Sequence, residues 1–173
     1  GASSPIVVDG RLFVTRSGGV KQDRLHIISL DAASGKQLWQ RDFWATGRTY
    51  THPSSSVAAP TPASDGKHIV AFFSSNDLVC LDLDGNLLWY RGLALDFQKA
   101  GNDIGMSSSP TISGEVVVVQ AENQGNSFAT GIDIHTGREL WRTTRGNLAN
   151  WASPIAIDGP SGQPAVLLQS PTG

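Results

Sequence analysis

One short phrase occurs three times and restricts the fold more than any other feature: an acidic residue, a turn glycine, two variable positions, then Leu-Trp. It runs from Asp31 to Gly35-Lys36-Gln37-Leu38-Trp39, from Asp82 to Gly85-Asn86-Leu87-Leu88-Trp89, and from Asp133 to Gly137-Arg138-Glu139-Leu140-Trp141. The tryptophans stand 50 and then 52 residues apart. A period of about 40 to 50 residues, in a chain of short β-type runs, marks a repeat architecture and above all the blades of a β-propeller.

Composition agrees with that reading. The 173 residues amount to one domain's length. Nineteen glycines and nine prolines against 16% charged residues suit an all-β chain, because tight turns consume both residue types. A net charge of −2 leaves no basic stripe, so nucleic acid is excluded as a partner. No apolar run reaches the roughly 18 residues of a membrane helix, so no membrane span is expected. The single cysteine, Cys80, cannot form an internal disulfide and does not report the redox compartment. The sequence opens without methionine and stops at Ser170-Pro171-Thr172-Gly173, where another repeat phrase is due. It reads as an excerpt of a longer protein, and the lack of a signal peptide carries no weight.

Each unit opens on small residues ending in proline: Ser3-Ser4-Pro5, Ala58-Ala59-Pro60, Ser108-Ser109-Pro110 and Ala152-Ser153-Pro154. Asp9-Gly10, Asp65-Gly66 and Ser113-Gly114 then precede the apolar runs 12–14, 69–73 and 116–119, and a wider turn over 158–164 precedes 165–168. Such dipeptides signal hairpins, because glycine accepts the positive φ of a tight reversal. Third strands are predicted over 25–30, 78–83 and 128–134, and fourth strands carrying tryptophan over 37–43, 87–91 and 139–143. The expected fold is an all-β propeller segment of four-stranded antiparallel blades over about 3–43, 58–92 and 108–143, with a partial blade over 152–169. Continuously apolar second strands should be buried on both faces, whereas the alternating tryptophan strands suit an outer edge.

The repeated phrase has a mechanical logic. An indole can fill the wedge between two splayed sheets, and its N–H can reach a backbone carbonyl. The turn glycine (Gly35, Gly85, Gly137) permits the reversal that aims the indole, and the aspartate (Asp31, Asp82, Asp133) holds the turn by accepting backbone N–H bonds. Two positions before each aspartate stands a small residue, Ser29, Cys80 or Gly131, which places Cys80 in a crowded core slot rather than in a reactive site.

These residues resemble the pyrroloquinoline-quinone-like repeat propellers, whose tryptophan-docking phrase has the form Ala-x-Asp-x-x-Thr-Gly-x-x-x-Trp. The third repeat, Asp133-Ile134-His135-Thr136-Gly137 through Trp141, is the best match, although Gly131 replaces the alanine. The first carries Ser34-Gly35 with Ser29 at the alanine position, and the second is one residue shorter in its turn. The resemblance implies one of two branches. One holds quinone dehydrogenases, with pyrroloquinoline quinone and calcium over the ring. The other keeps the repeat without the quinone and includes the propeller lipoprotein of the outer-membrane barrel-assembly machinery and exported bacterial repeat proteins. The phrases Ser108-Ser109-Pro110-Thr111 and Trp151-Ala152-Ser153-Pro154 look most like the second branch, which implies a periplasmic or otherwise exported location and no cofactor.

Little else suggests catalysis. A dehydrogenase of this kind is expected to carry an adjacent cysteine pair, and only Cys80 is present. Asp82-Leu83-Asp84-Gly85-Asn86 looks like the start of a calcium loop, but Leu93 stands where an EF-hand needs glutamate, so a blade turn is the better reading. His26, His52, His68 and His135 share no metal-ligand spacing, and no nucleophile elbow or phosphate loop occurs. Function is instead expected on the blade-to-blade connections 44–57, 93–107 and 144–151, which should emerge on one face. Tyr50, His52, Asn102, Asp103 and Trp151 are the candidate partner-binding residues, for a protein or carbohydrate-like ligand. The remaining blades of the parent chain are expected to cover the terminal edges. The expected role is a non-catalytic scaffold or binding module, the alternative being a fragment of a quinone-dependent alcohol or sugar dehydrogenase.

Overall fold

The computed structural model describes residues 2–97 and 105–171. Three four-stranded antiparallel sheets follow one another along the chain. The first contains β1 (Ile6–Val8), β2 (Arg11–Gly18), β3 (Arg24–Asp31) and β4 (Gln37–Trp44). The second contains β5 (Ala63–Ser64), β6 (His68–Phe72), β7 (Asp77–Asp82) and β8 (Leu87–Gly92). The third contains β9 (Thr111–Ser113), β10 (Val116–Ala121), β11 (Phe128–Asp133) and β12 (Glu139–Thr144). A two-stranded unit, β13 (Ile155–Asp158) and β14 (Pro164–Leu167), comes last. Spatial order equals chain order in every sheet, so each is an up-and-down blade of a propeller. One helical turn, α1 (Leu93–Asp96), follows β8 where the sequence reading has only a loop. A single turn is too short to show a 3.6-residue period.

The second blade explains the apolar second strands. Ile69, Ala71, Phe73, Val79 and Leu81 pack against Phe13, Leu25 and Ile27 of the first blade. Their alternates Val70, Phe72, Leu78 and Cys80 pack against Val117, Val119, Phe128 and Ile132 of the third. Strand period two sends successive side chains to opposite seams, and here both seams are lined by buried apolar side chains. Each large side chain so buried contributes about 1.5–3 kcal/mol. By contrast, β2 alternates, with Phe13 and Thr15 buried, because the described residues cover only one of its faces.

The inner strands are tied together by hydroxyls. Ser4 N–H donates to Thr61 Oγ1 at 3.1 Å, Thr61 N–H to Ser109 Oγ at 2.9 Å, and Ser109 N–H to Ser153 Oγ at 2.9 Å. The small residues opening each unit therefore join neighbouring blades at their inner ends. Ala59 has no hydroxyl to offer, and Thr61, just past Pro60, takes that place.

Candidate functional site

The seams between blades determine which loops share a face. Ser29, Cys80 and Gly131 are the cross-strand partners of Trp39, Trp89 and Trp141, and in all three blades the register shifts immediately after that pair. The small residue leaves room for the indole, and the bulge redirects the strand. Trp39 Nε1–H donates to the Leu83 carbonyl at 3.0 Å, and Trp89 Nε1–H to the Ile134 carbonyl at 2.7 Å. Each acceptor belongs to the residue after the turn aspartate of the following blade. The glycine of that same turn lies against the indole: a Cβ on Gly85 would stand 2.8 Å from the Trp39 ring, and one on Gly137 2.8 Å from Trp89. The sequence reading gives the glycine to its own blade's tryptophan. The contact that needs glycine is with the tryptophan of the preceding blade.

Arginine, missed from sequence, completes the seam. Arg41 Nε–H reaches the Gly85 carbonyl at 2.6 Å, and Arg91 Nη1–H the Gly137 carbonyl at 2.7 Å. The available signal is a Trp-x-Arg spacing in the first two repeats, replaced by Trp141-Arg142-Thr143 in the third. Trp141 also differs in setting, being 38% exposed against 8% for Trp89. A Cβ on Gly131 would come within 2.1 Å of its Nε1, so the indole lies over its own sheet. It borders a cavity of about 320 Å³ lined also by Val118, Pro164, Ala165 and Val166. The sequence reading puts all three tryptophans in equivalent seams; Trp141 faces a unit with two strands among the described residues, which offers it no matching turn.

The turn aspartates are bound within their own loops. Asp31 accepts the Ser34 hydroxyl at 2.5 Å and its N–H at 2.7 Å. Asp133 accepts the Thr136 hydroxyl and N–H, each at 2.7 Å. These bonds, the hydroxyl's first, hold both carboxyls below their ordinary value. At Asp82 desolvation pushes upward, but the Asn86 side-chain and backbone bonds outweigh it and the carboxyl is again lowered. Asp84 pairs with Arg11 at 2.8 Å, so this turn's carboxylates are used structurally. Cys80 is buried with Sγ 3.8 Å from the Ile134 carbonyl, and burial, followed by the charges of Asp65 and Asp82, pushes its thiol up to about 12. Such a thiol is inert.

The connections between blades are pinned by two buried carboxylates that no sequence motif announces. Asp77 accepts the Thr46 hydroxyl at 2.6 Å, the Thr46 N–H at 3.0 Å, the Ser75 hydroxyl at 2.5 Å and the Tyr90 hydroxyl at 2.6 Å. Burial, and then the bond to Asp77, push the Tyr90 phenol above its ordinary value. Glu122, fully buried, accepts Arg145 Nε–H at 2.7 Å and Asn150 Nδ2–H at 3.0 Å. The only hint in the sequence is an acidic residue beside an apolar run, Asp77 before Leu78 and Glu122 after Ala121.

Over these clamps the connections converge. A Cβ on Gly105 would meet Thr51 at 2.9 Å, the Gly105 carbonyl accepts Trp151 Nε1–H at 3.1 Å, and Met106 N–H donates to Ser74 Oγ at 2.6 Å. Tyr50 and His52 flank Thr51, so they and Trp151 lie on one side of the fan. Tyr50 is 58% and Trp151 42% exposed. The Arg48 guanidinium stands over the Tyr50 ring at 5.1 Å, and a shallow cavity of about 380 Å³ runs from Tyr50 to Val20 and Lys21. His52 Nδ1 is engaged by the Ser54 hydroxyl at 2.6 Å and the Ser54 N–H at 3.2 Å. Asn102 and Asp103 lie outside the described residues. On the opposite side, the hairpin turns bring His68 and His135 together, with ring centroids 5.4 Å apart.

A sequence profile of the family described as outer membrane protein assembly factor BamB matches residues 1–105. The chain belongs to that family of quinone-type repeat propellers. Among curated proteins no sequence matches the chain significantly. BamB from Moraxella catarrhalis superposes with a TM-score of 0.58 at 18% identity, over 90% of this chain and 39% of that structure. Quinohemoprotein alcohol dehydrogenase from Comamonas testosteroni gives a TM-score of 0.59 at 17% identity, over 82% of this chain and 20% of that one. A europium-containing methanol dehydrogenase gives 0.57 at 18% identity, over 81% and 24%. At such identities the likeness establishes the propeller fold of this BamB-family chain, which spans between a fifth and two fifths of those structures.

Proposed function

We propose that the chain is a non-catalytic propeller module that holds a protein partner on its connector face, within an exported, periplasmic bacterial protein. The observation that carries this reading is the run of large apolar side chains exposed on that face: Val20, Trp44, Tyr50, Leu95, Leu148 and Trp151. Exposed aromatics over a rigid scaffold are the usual anchors of protein interfaces. Arginine reinforces them, since Arg24 stands 5.1 Å from the Trp44 ring centroid as Arg48 does from Tyr50. The clamps at Asp77 and Glu122 give the loops a fixed shape, which reduces the ordering cost of association. A carbohydrate-like ligand has the aromatic faces alone in its favour. Membership of the BamB family supports a protein partner and an exported location, and no helix among the described residues is long and apolar enough to cross a membrane.

The alternative, part of a dehydrogenase using pyrroloquinoline quinone and calcium, fits the residues poorly. Among the described residues no three His, Cys, Asp or Glu side chains are grouped to hold a metal. The two buried carboxylates on the connector face are already satisfied, Asp77 by Thr46, Ser75 and Tyr90, and Glu122 by Arg145 and Asn150. The test is to place a photo-crosslinking residue at Tyr50, at Trp151 and, on the opposite side, at Asp65, in the full-length protein in cells. Protein adducts from the first two positions and none from the third are expected. Absence of adducts at both, or binding of the quinone with calcium by absorbance titration, would overturn the reading.

A further inference from the structure

We propose that His68 and His135 form a divalent transition-metal site, for Zn²⁺ or Cu²⁺, that straps the second blade to the third on the side opposite the connections. His68 begins β6, and His135 lies in the turn that receives Trp89, so the two are far apart in sequence and meet only across the seam. Their ring centroids are 5.4 Å apart and the planes inclined at 72°. Two imidazoles on one tetrahedral ion, with metal–nitrogen bonds of about 2.0–2.1 Å, have centroids about 5 Å apart. The two rings therefore stand within reach of one shared ion.

Second-shell chemistry favours the same conclusion. Asp65 Oδ2 lies 2.8 Å from His68 Nδ1, and an ionised carboxylate can only accept, so Nδ1 carries the proton. In the neutral ring that tautomer leaves the lone pair on Nε2, the arrangement of a carboxylate–histidine–metal relay. His135 is exposed and only loosely held, its Nε2 3.5 Å from Glu115 Oε1, so a side-chain rotation can aim a ring nitrogen at the shared ion. No three donors converge at this point as the chain stands, so water completes the coordination. Imidazole donors with water suit Zn²⁺ and, more strongly, Cu²⁺.

The experiment is titration of zinc chloride and copper chloride into the full chain, followed by calorimetry and by thermal unfolding. One ion per chain with micromolar affinity is expected, with a higher Tm in the presence of metal. H135A, each time compared with its own metal-free Tm, should abolish the Tm gain, and it should still fold because the turn is held by Asp133. D65N should weaken affinity by roughly tenfold through loss of the oriented tautomer, and H52A should leave it intact. Absence of binding to the wild-type chain, or affinity unchanged in H135A, would overturn the proposal.

Discussion

An alanine at Gly35 and one at Gly85 enter the same left-handed backbone, at φ +70° and +81°, but meet different surroundings. Nothing lies within 4 Å of a Cβ at Gly35, whereas at Gly85 it would press on the Trp39 indole at 2.8 Å. G35A should cost about 1 kcal/mol from backbone strain alone. G85A should cost about 2–4 kcal/mol, because the displaced indole adds an overpacking cost of about 1–3 kcal/mol. Urea unfolding of the two variants measures the difference, and equal losses would show that the glycine–indole contact is not what the turn requires. Acid dependence belongs to this scale as well. Asp31 and Asp133 have carboxyls lowered by their turn bonds, so they stabilise the fold above the unfolded carboxylate value. That contribution disappears as pH falls through the lowered folded values, below about pH 4. D133N should flatten this acid limb of a stability-against-pH curve by lowering its neutral plateau, where the ionised carboxylate contributes, while leaving the acid end little changed.

At the scale of strands and loops, a tryptophan matters in proportion to the turn it meets. Trp89 is buried, donates to Ile134 and lies against Gly137, so W89F should cost about 2–3 kcal/mol. Trp141 is more than a third exposed, and W141F should cost less than about 1 kcal/mol. Equal losses in denaturant unfolding would mean that the indoles act as bulk alone. The first connection depends on one carboxylate. D77A would leave the buried Ser75 hydroxyl and the half-buried Tyr90 hydroxyl without their acceptor and release Thr46, a loss of about 1–3 kcal/mol. Limited proteolysis should then cut within residues 44–57, which the intact clamp protects.

Across the whole molecule, stability follows the number of neighbours each blade has, since repeat proteins sum intrinsic and nearest-neighbour contributions. The second blade is packed on both faces, while β13 is exposed throughout and β14 is exposed at its two ends and half-buried between them. Hydrogen exchange should therefore be slowest in β6 and β7 and fastest in β13 and β14. Slower exchange in β2 or β10 than in β6 would contradict this gradient. The two sides of the fan also divide their chemistry. The connector side carries apolar anchors over buried carboxylates, and the hairpin side carries the paired histidines.

The sequence by itself determined the blades. The period of the Asp–Gly–Trp phrase, the hairpin dipeptides and the apolar second strands are local patterns, and local backbone preferences impose them wherever the chain lies. Which glycine serves which tryptophan was decided only in three dimensions, because the contact joins Gly85 to Trp39 and Gly137 to Trp89 across a seam. The same holds for buried Asp77 and Glu122, whose partners Tyr90, Thr46, Arg145 and Asn150 come from other elements. His68 and His135 carry no spacing signal because nothing in a one-dimensional pattern records which side of which sheet will face its neighbour. Sequence periodicity encodes each strand's own conformation, whereas pairing between blades depends on the angle at which finished sheets stack.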